Sequence, residues 1–158
     1  MKIEEEIQQG SFQSEQHRLL INIIYTGNQF TLSNSRMLKQ FSITTQQFNV
    51  LRILRGQKGN PISVKDMHGR MLDSTSNVSR LVDKLLAKEL IERIVCPNDR
   101  RRVELTITPK GLKLLDEIEI VSGSLRHKMK NAITEEEAKI ANSILDKFRL
   151  IIQNDTTK

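Results

Sequence analysis

Residues 73–86 read Asp73-Ser74-Thr75-Ser76-Asn77-Val78-Ser79-Arg80-Leu81-Val82-Asp83-Lys84-Leu85-Leu86, and residues 97–109 read Pro97-Asn98-Asp99-Arg100-Arg101-Arg102-Val103-Glu104-Leu105-Thr106-Ile107-Thr108-Pro109. In the first stretch Val78, Leu81, Val82, Leu85 and Leu86 recur as one face of an amphipathic helix. Asp73 or Ser74 is its expected N-cap. In the second, Val103, Leu105 and Ile107 alternate with Glu104, Thr106 and Thr108, the pattern of a half-buried strand. Ile91 to Cys96 supplies a partner strand, so the two make a hairpin around Pro97 to Arg102. Upstream, Ser63 caps a short helix Val64–Met71 with Asp66 as its capping-box partner, and Leu72-Asp73-Ser74 turns the chain. Short helix, tight turn, amphipathic helix and hairpin, in that order, predict a winged helix-turn-helix. The expected fold class is mainly α with a small β-hairpin wing.

Outward from this unit the chain reads as helix. Glu15 to Thr26 carries Leu19, Leu20, Ile23 and Ile24 on one face, with Ile3 and Ile7 as an earlier start interrupted at Gly10-Ser11. Asn28 to Gln40 reads as a second, short helix. A third begins at Thr44 or Thr45, carries Phe48, Val50, Leu51 and Leu54, and stops in the loop Gly56 to Pro61. On the other side, Thr108-Pro109 opens a long helix striped by Leu112, Leu115, Ile118, Leu125 and Met129. Ser122-Gly123-Ser124 is a place for that helix to bend. Thr134, with Glu137 three residues on, starts the last helix, whose Ala138, Ala141, Leu145, Phe148 and Ile152 form a narrow coiled-coil-like seam.

A chain of 158 residues with 37% hydrophobic side chains can bury the core of one ordinary domain. Its net charge of +6 fits a polyanionic partner. The charge is unevenly placed: residues 1–60 and 61–110 each carry +3, from 7 basic against 4 acidic and 10 against 7, whereas residues 111–158 balance at 8 and 8. One cysteine excludes an internal disulfide, and His17, His68 and His127 have no metal-ligand spacing, so neither a metal nor a cofactor is expected. No apolar run approaches a membrane span, and the acidic start Met1-Lys2-Ile3-Glu4-Glu5-Glu6 is unlike a signal peptide. A cytoplasmic location without membrane contact is the expectation. No paired carboxylates, Cys–His nucleophile or glycine-rich phosphate loop marks an enzyme.

The second helix of a helix-turn-helix enters the major groove. Its exposed N-terminal face here offers Ser74, Thr75, Ser76, Asn77, Ser79, Arg80 and Lys84. Hydroxyls suit phosphates and several base edges, Asn suits adenine and Arg suits guanine. A cap followed by a solvated face is the bland reading of the same residues. The hairpin tip tilts the balance, because Arg100, Arg101 and Arg102 repel one another and gain a role only beside phosphates or in a narrow minor groove. Cys96 reads as a small hydrophobic strand residue, with a redox-sensitive wing thiol as the alternative.

The run from Ser76 to Gly111, with Ser76-Asn77-Val78-Ser79-Arg80-Leu81-Val82-Asp83-Lys84-Leu85, Asn98-Asp99-Arg100-Arg101-Arg102 and Ile107-Thr108-Pro109-Lys110-Gly111, closely resembles the multiple-antibiotic-resistance regulator (MarR) family of bacterial transcription factors. That resemblance implies a homodimer on a pseudo-palindromic operator in double-stranded DNA. Residues 1–40 and 111–158 would be dimerisation helices and residues 44–110 the DNA-binding lobe. It implies that Arg80 reads bases, that Arg101 enters the minor groove, and that Asp99 orients neighbouring arginines such as Arg93. It further implies a ligand-responsive repressor, with a small aromatic or phenolic effector for which His17 and Tyr25 are candidate contacts. One feature departs from the family pattern, Met67-His68 where Leu-Ala is usual, and the first helix lacks the cysteine that oxidant-sensing members carry there. The rival reading is a winged-helix protein-interaction module without operator binding.

Overall fold

The recognition-type helix is the centre of the packing. In the computed structural model, which describes residues 1–96 and 99–155 and leaves aside the side chains at 95, 96, 99–103 and 126, it spans Val78–Ala87 (α5). Val78, Val82 and Leu85 are buried, whereas Ser79, Arg80, Asp83 and Lys84 are exposed. The buried face meets α3 (Thr45–Gly56), which contributes Val50, Leu51 and Leu54, and α4 (Val64–His68), which contributes Met67. Each fully buried aliphatic side chain contributes about 1.5–3 kcal/mol, so this apolar face fixes the helix on the lobe.

Ahead of these lie α1 (Ile3–Glu6) and α2 (Glu15–Lys39). The expected break between two helices at Gly27-Asn28 is absent, and α2 runs through it. One exposed glycine costs a helix only about 1 kcal/mol, which the rest of a 25-residue helix offsets. Ile3 instead starts a separate short helix, with its side chain buried.

The sheet has three antiparallel strands in the order β1-β3-β2, built from β1 (Ile62–Ser63), β2 (Ile91–Cys96) and β3 (Asp99–Ile107). The two-residue β1 was not foreseen: Ile62 pairs with Leu105 and Ser63 with Glu104. In the hairpin Ile91 faces Ile107 and Arg93 faces Leu105, and the register shifts between Val95 and Cys96. β3 begins at Asp99, earlier than the alternation from Val103 indicates.

The joint between α5 and the wing is tightly specified. Glu89 adopts a left-handed φ of 59°, Leu90 N donates to Leu85 O at 3.1 Å, and Glu89 N donates to Leu86 O at 2.8 Å. This is a Schellman ending with a glutamate where glycine is usual. Lys110 Nζ holds the Glu89 carboxylate at 2.7 Å. That hydrogen bond is the main reason the carboxyl sits below its usual range. Thr108 Oγ1 donates to Glu89 O at 2.8 Å and accepts from Gly111 N at 3.1 Å, which starts α6 (Pro109–Ala132).

Gly111, Leu115 and Ile118 form the buried stripe of α6, while Leu112, Leu125 and Met129 of the expected stripe are exposed. The helix is continuous through Ser122-Gly123-Ser124. After Thr134, whose N and Oγ1 both donate to Glu137 Oε2 at 2.8 Å, α7 spans Glu135–Asp155. None of its described side chains is buried. The chain divides into two units, Met1–Leu115 and Asp116–Lys158. Among the described residues no helix is long and apolar enough to cross a membrane, and no group of three or more His, Cys, Asp or Glu side chains is placed to hold a metal ion.

Candidate nucleic-acid interface

The polar stretch Asp73 to Asn77 contains five residues able to cap a helix, and the structure selects the last. Asn77 Oδ1 accepts from Arg80 N at 3.1 Å, so Asn77, and not the expected Asp73 or Ser74, caps α5, which starts at Val78. Asp73 organises the preceding turn instead. Its Oδ1 accepts from Thr75 N at 3.0 Å and from Thr75 Oγ1 at 2.6 Å, and its carbonyl accepts from Ser76 N at 3.2 Å. The Thr75 hydroxyl, and next the Thr75 amide, hold the Asp73 carboxyl below the usual carboxylate range. The turn is tied to the lobe by Leu72 N, which donates to Asn49 Oδ1 of α3 at 3.0 Å.

These bonds shape an open cleft of about 370 Å³ at the start of α5. Thr75, Ser76, Asn77, Arg80 and Lys84 line it, with Gln46, Asp73 and Leu81. Ser74 and Ser79 are exposed but do not line it. Arg80 and Lys84, one helical turn apart, point to solvent and make no ion pair among the described residues. The helix N-terminus adds a partial positive charge to the same place. Cationic heads, hydroxyls and a capped helix end thus converge on one exposed face, which can hold an anion and hydrogen-bond the groups around it.

Sequence reasoning missed Gln46, Asp73 and Asn49 as parts of this site. Asp73 was legible as a turn residue, but the roles of Gln46 and Asn49 depend on α3 lying beside the turn, and no local signal marks that. Arg93 of β2 pairs with Asp83 of α5 at 2.7 Å, with 53% and 65% of the two side chains exposed. At that exposure the pair is worth at most about 1 kcal/mol, yet it links the outer face of α5 to the wing strand. The wing side chains Asp99, Arg100, Arg101 and Arg102, and Cys96, lie outside the described residues.

His17 and Tyr25 occupy different surroundings on α2. Tyr25 donates to Glu6 Oε2 at 2.6 Å, a bond that raises the phenol's pKa above its ordinary value, and lines an open pocket of about 560 Å³ with Met1, Lys2, Ile3, Arg18 and Asn22. His17 is not in that pocket; its ring meets Phe12 edge-on at 5.8 Å. Arg18 Nε pairs with Glu4 at 2.8 Å on the same side of α2 as Tyr25, so acidic side chains of α1 cover part of this helix.

A helix-turn-helix whose second helix presents a cationic polar face, followed by a hairpin, defines a winged helix-turn-helix protein. Residues 43–103 match the MarR family. The chain is 28% identical over 113 residues to the HTH-type transcriptional regulator YsmB of Bacillus subtilis, covering 72% of this chain and 76% of that one. It is 29% identical over 132 residues to the multiple antibiotic resistance protein MarR of Salmonella typhimurium, covering 80% and 88%. Its fold is shared with the Staphylococcus aureus MepR–DNA complex at a TM-score of 0.72 and 22% identity, covering 84% of this chain and 94% of that one.

Proposed function

We infer that this protein is a sequence-specific double-stranded DNA-binding transcriptional regulator, acting as a homodimer on a pseudo-palindromic operator. The observation that carries the reading is the outward face of α5, where Arg80 and Lys84 are exposed and make no ion pair among the described residues, beside a capped helix N-terminus. Ser74, Thr75, Ser76, Asn77 and Ser79 surround them as further DNA contacts, and Asp99 with Arg100 to Arg102 serves as the wing contact. The kinship with regulators of the MarR type, and a shared fold with a protein solved on DNA, support it. Residues 1–40 and 111–158 act as dimerisation helices and residues 44–110 as the DNA-binding lobe, and the protein works in the cytoplasm without catalysis. The regulator acts as a repressor released by a small aromatic or phenolic effector, for which the Tyr25 pocket, which His17 does not line, is the receiving site.

Selection of bound duplexes from a random pool tests the reading. Enrichment of a pseudo-palindrome with half-sites one helical turn apart is expected. Arg80→Ala then weakens the enriched duplex by about 1–3 kcal/mol per contact and random DNA by less. No enrichment by the wild-type protein overturns operator binding and leaves a protein-interaction module.

A further inference from the structure

Asp73 and Thr75 lie on the turn just before α5, and both face the cleft that also holds Arg80. An ionised carboxylate only accepts hydrogen bonds. With Thr75 Oγ1 2.6 Å from Asp73 Oδ1, the hydroxyl proton of Thr75 lies on that line. The amide of Thr75 is spent on the same oxygen at 3.0 Å. What Thr75 Oγ1 still presents to the outside is lone pairs alone.

We propose that Asp73 sets the hydrogen-bonding polarity of Thr75, making Thr75 an acceptor-only reader of base edges in the major groove and Asp73 its positioning residue. The proposal rests on the DNA-binding reading of the same face. Phosphate oxygens at neutral pH carry no proton, so an oxygen with only lone pairs is repelled by them. The donors available to it in the major groove are the exocyclic amines of adenine and cytosine. Arg80, lining the same cleft, has the opposite polarity and suits the acceptor edge of guanine. Ser74 and Ser79 are exposed without such a commitment among the described residues, so their hydroxyls keep a proton for phosphate. The hydrogen bonds that lower the pKa of Asp73 keep its carboxylate charged throughout the neutral range, so the assignment of the proton to Thr75 is stable there.

The test is duplex selection with the full-length protein and its Thr75→Val, Asp73→Ala and Asp73→Asn variants, each checked for an unchanged thermal midpoint. Wild type is expected to restrict one position in each half-site to adenine or cytosine, by about five- to tenfold, the strength of one net hydrogen bond. Thr75→Val, which has no hydroxyl, loses that restriction at this position alone. Asp73→Ala frees the hydroxyl to donate or accept, and the same position then admits guanine and thymine within about threefold. Asp73→Asn retains the acceptor oxygen and retains the restriction. Unchanged base preference in Thr75→Val, or an equal loss at every position in Asp73→Ala, overturns the proposal; the second result means that Asp73 only holds the turn in shape. A wild-type preference for guanine or thymine at the position Thr75→Val alters overturns it as well. If wild type enriches no duplex at all, the DNA-binding reading has failed, and this assignment falls with it.

Discussion

Three carboxylates, Asp73, Glu89 and Glu137, share one physical situation: each accepts hydrogen bonds that favour its charged form, and each carboxyl is held below its usual range. Because the folded-state pKa is the lower one, each contributes stability that is present above the unfolded value and lost as pH falls through the folded value. The loss therefore begins below about pH 4, where free carboxylates take up protons. Glu137, bonded first by the Thr134 amide and then by its hydroxyl, gives the cleanest case. Glu137→Gln is expected to lower the thermal midpoint at pH 7, and the gap from wild type should close as both are titrated to pH 2. A gap that stays constant across that range would show that the charge contributes nothing. At this scale the sequence was partly legible. Ser63 with Asp66 and Thr134 with Glu137 were readable as caps because each pair is local. Asn77 was not, because four earlier residues compete for the role, and only the packing of Val78 into the core decides where the helix begins.

Among the elements, α5 was the most readable because its apolar residues recur at helical spacing and nothing non-local is needed to place them. β1 was unreadable for the opposite reason: two residues carry no periodicity, and their strand exists only through pairing with Leu105 and Glu104. Of the stripe expected on α6, Leu115 and Ile118 are buried, whereas Leu112, Leu125 and Met129 are exposed. Gly111 is buried in place of Leu112 because the helix starts against the end of β3, where only a hydrogen fits. A Cβ at 111 would lie 2.8 Å from Ile107 Cγ1 and would also collide with the Leu90 carbonyl. Backbone cannot swing aside as a flexible side chain can. Gly111→Ala is accordingly expected to cost about 1–3 kcal/mol by denaturant titration, although alanine is the better helix former. A neutral or stabilising result would mean that the α5–wing joint yields easily.

On the scale of the whole molecule, both units leave apolar surface uncovered. Leu19, Leu20 and Ile24 on α2 are exposed in the first, and Ile140, Ile144, Ile151 and Ile152 on α7 in the second. An isolated soluble chain rarely keeps so much large apolar surface in water, and a second copy is the partner the homodimer reading requires. Sedimentation at micromolar concentration is expected to give twice the chain mass; a monomer there removes the dimer. Arg101→Ala is expected to reduce the slope of log affinity against log salt by about 2 per dimer, one for each phosphate that the shortened side chain no longer neutralises. A slope and affinity equal to wild type would exclude the wing from the interface. The sequence announced the balanced charge of residues 111–158 but not which faces stay uncovered, since periodicity reports an apolar stripe without saying whether its cover comes from the same chain. One consequence of α5 reaches beyond a single protein molecule. Its core duties fall on Val78, Val82 and Leu85, while positions 79, 80 and 84 bear none of them. Exchanges at those three positions should alter folding free energy by no more than about 0.5 kcal/mol. A lineage can thus drift to a new operator one substitution at a time, with no compensating change in the interior and no poorly folded ancestor along the way.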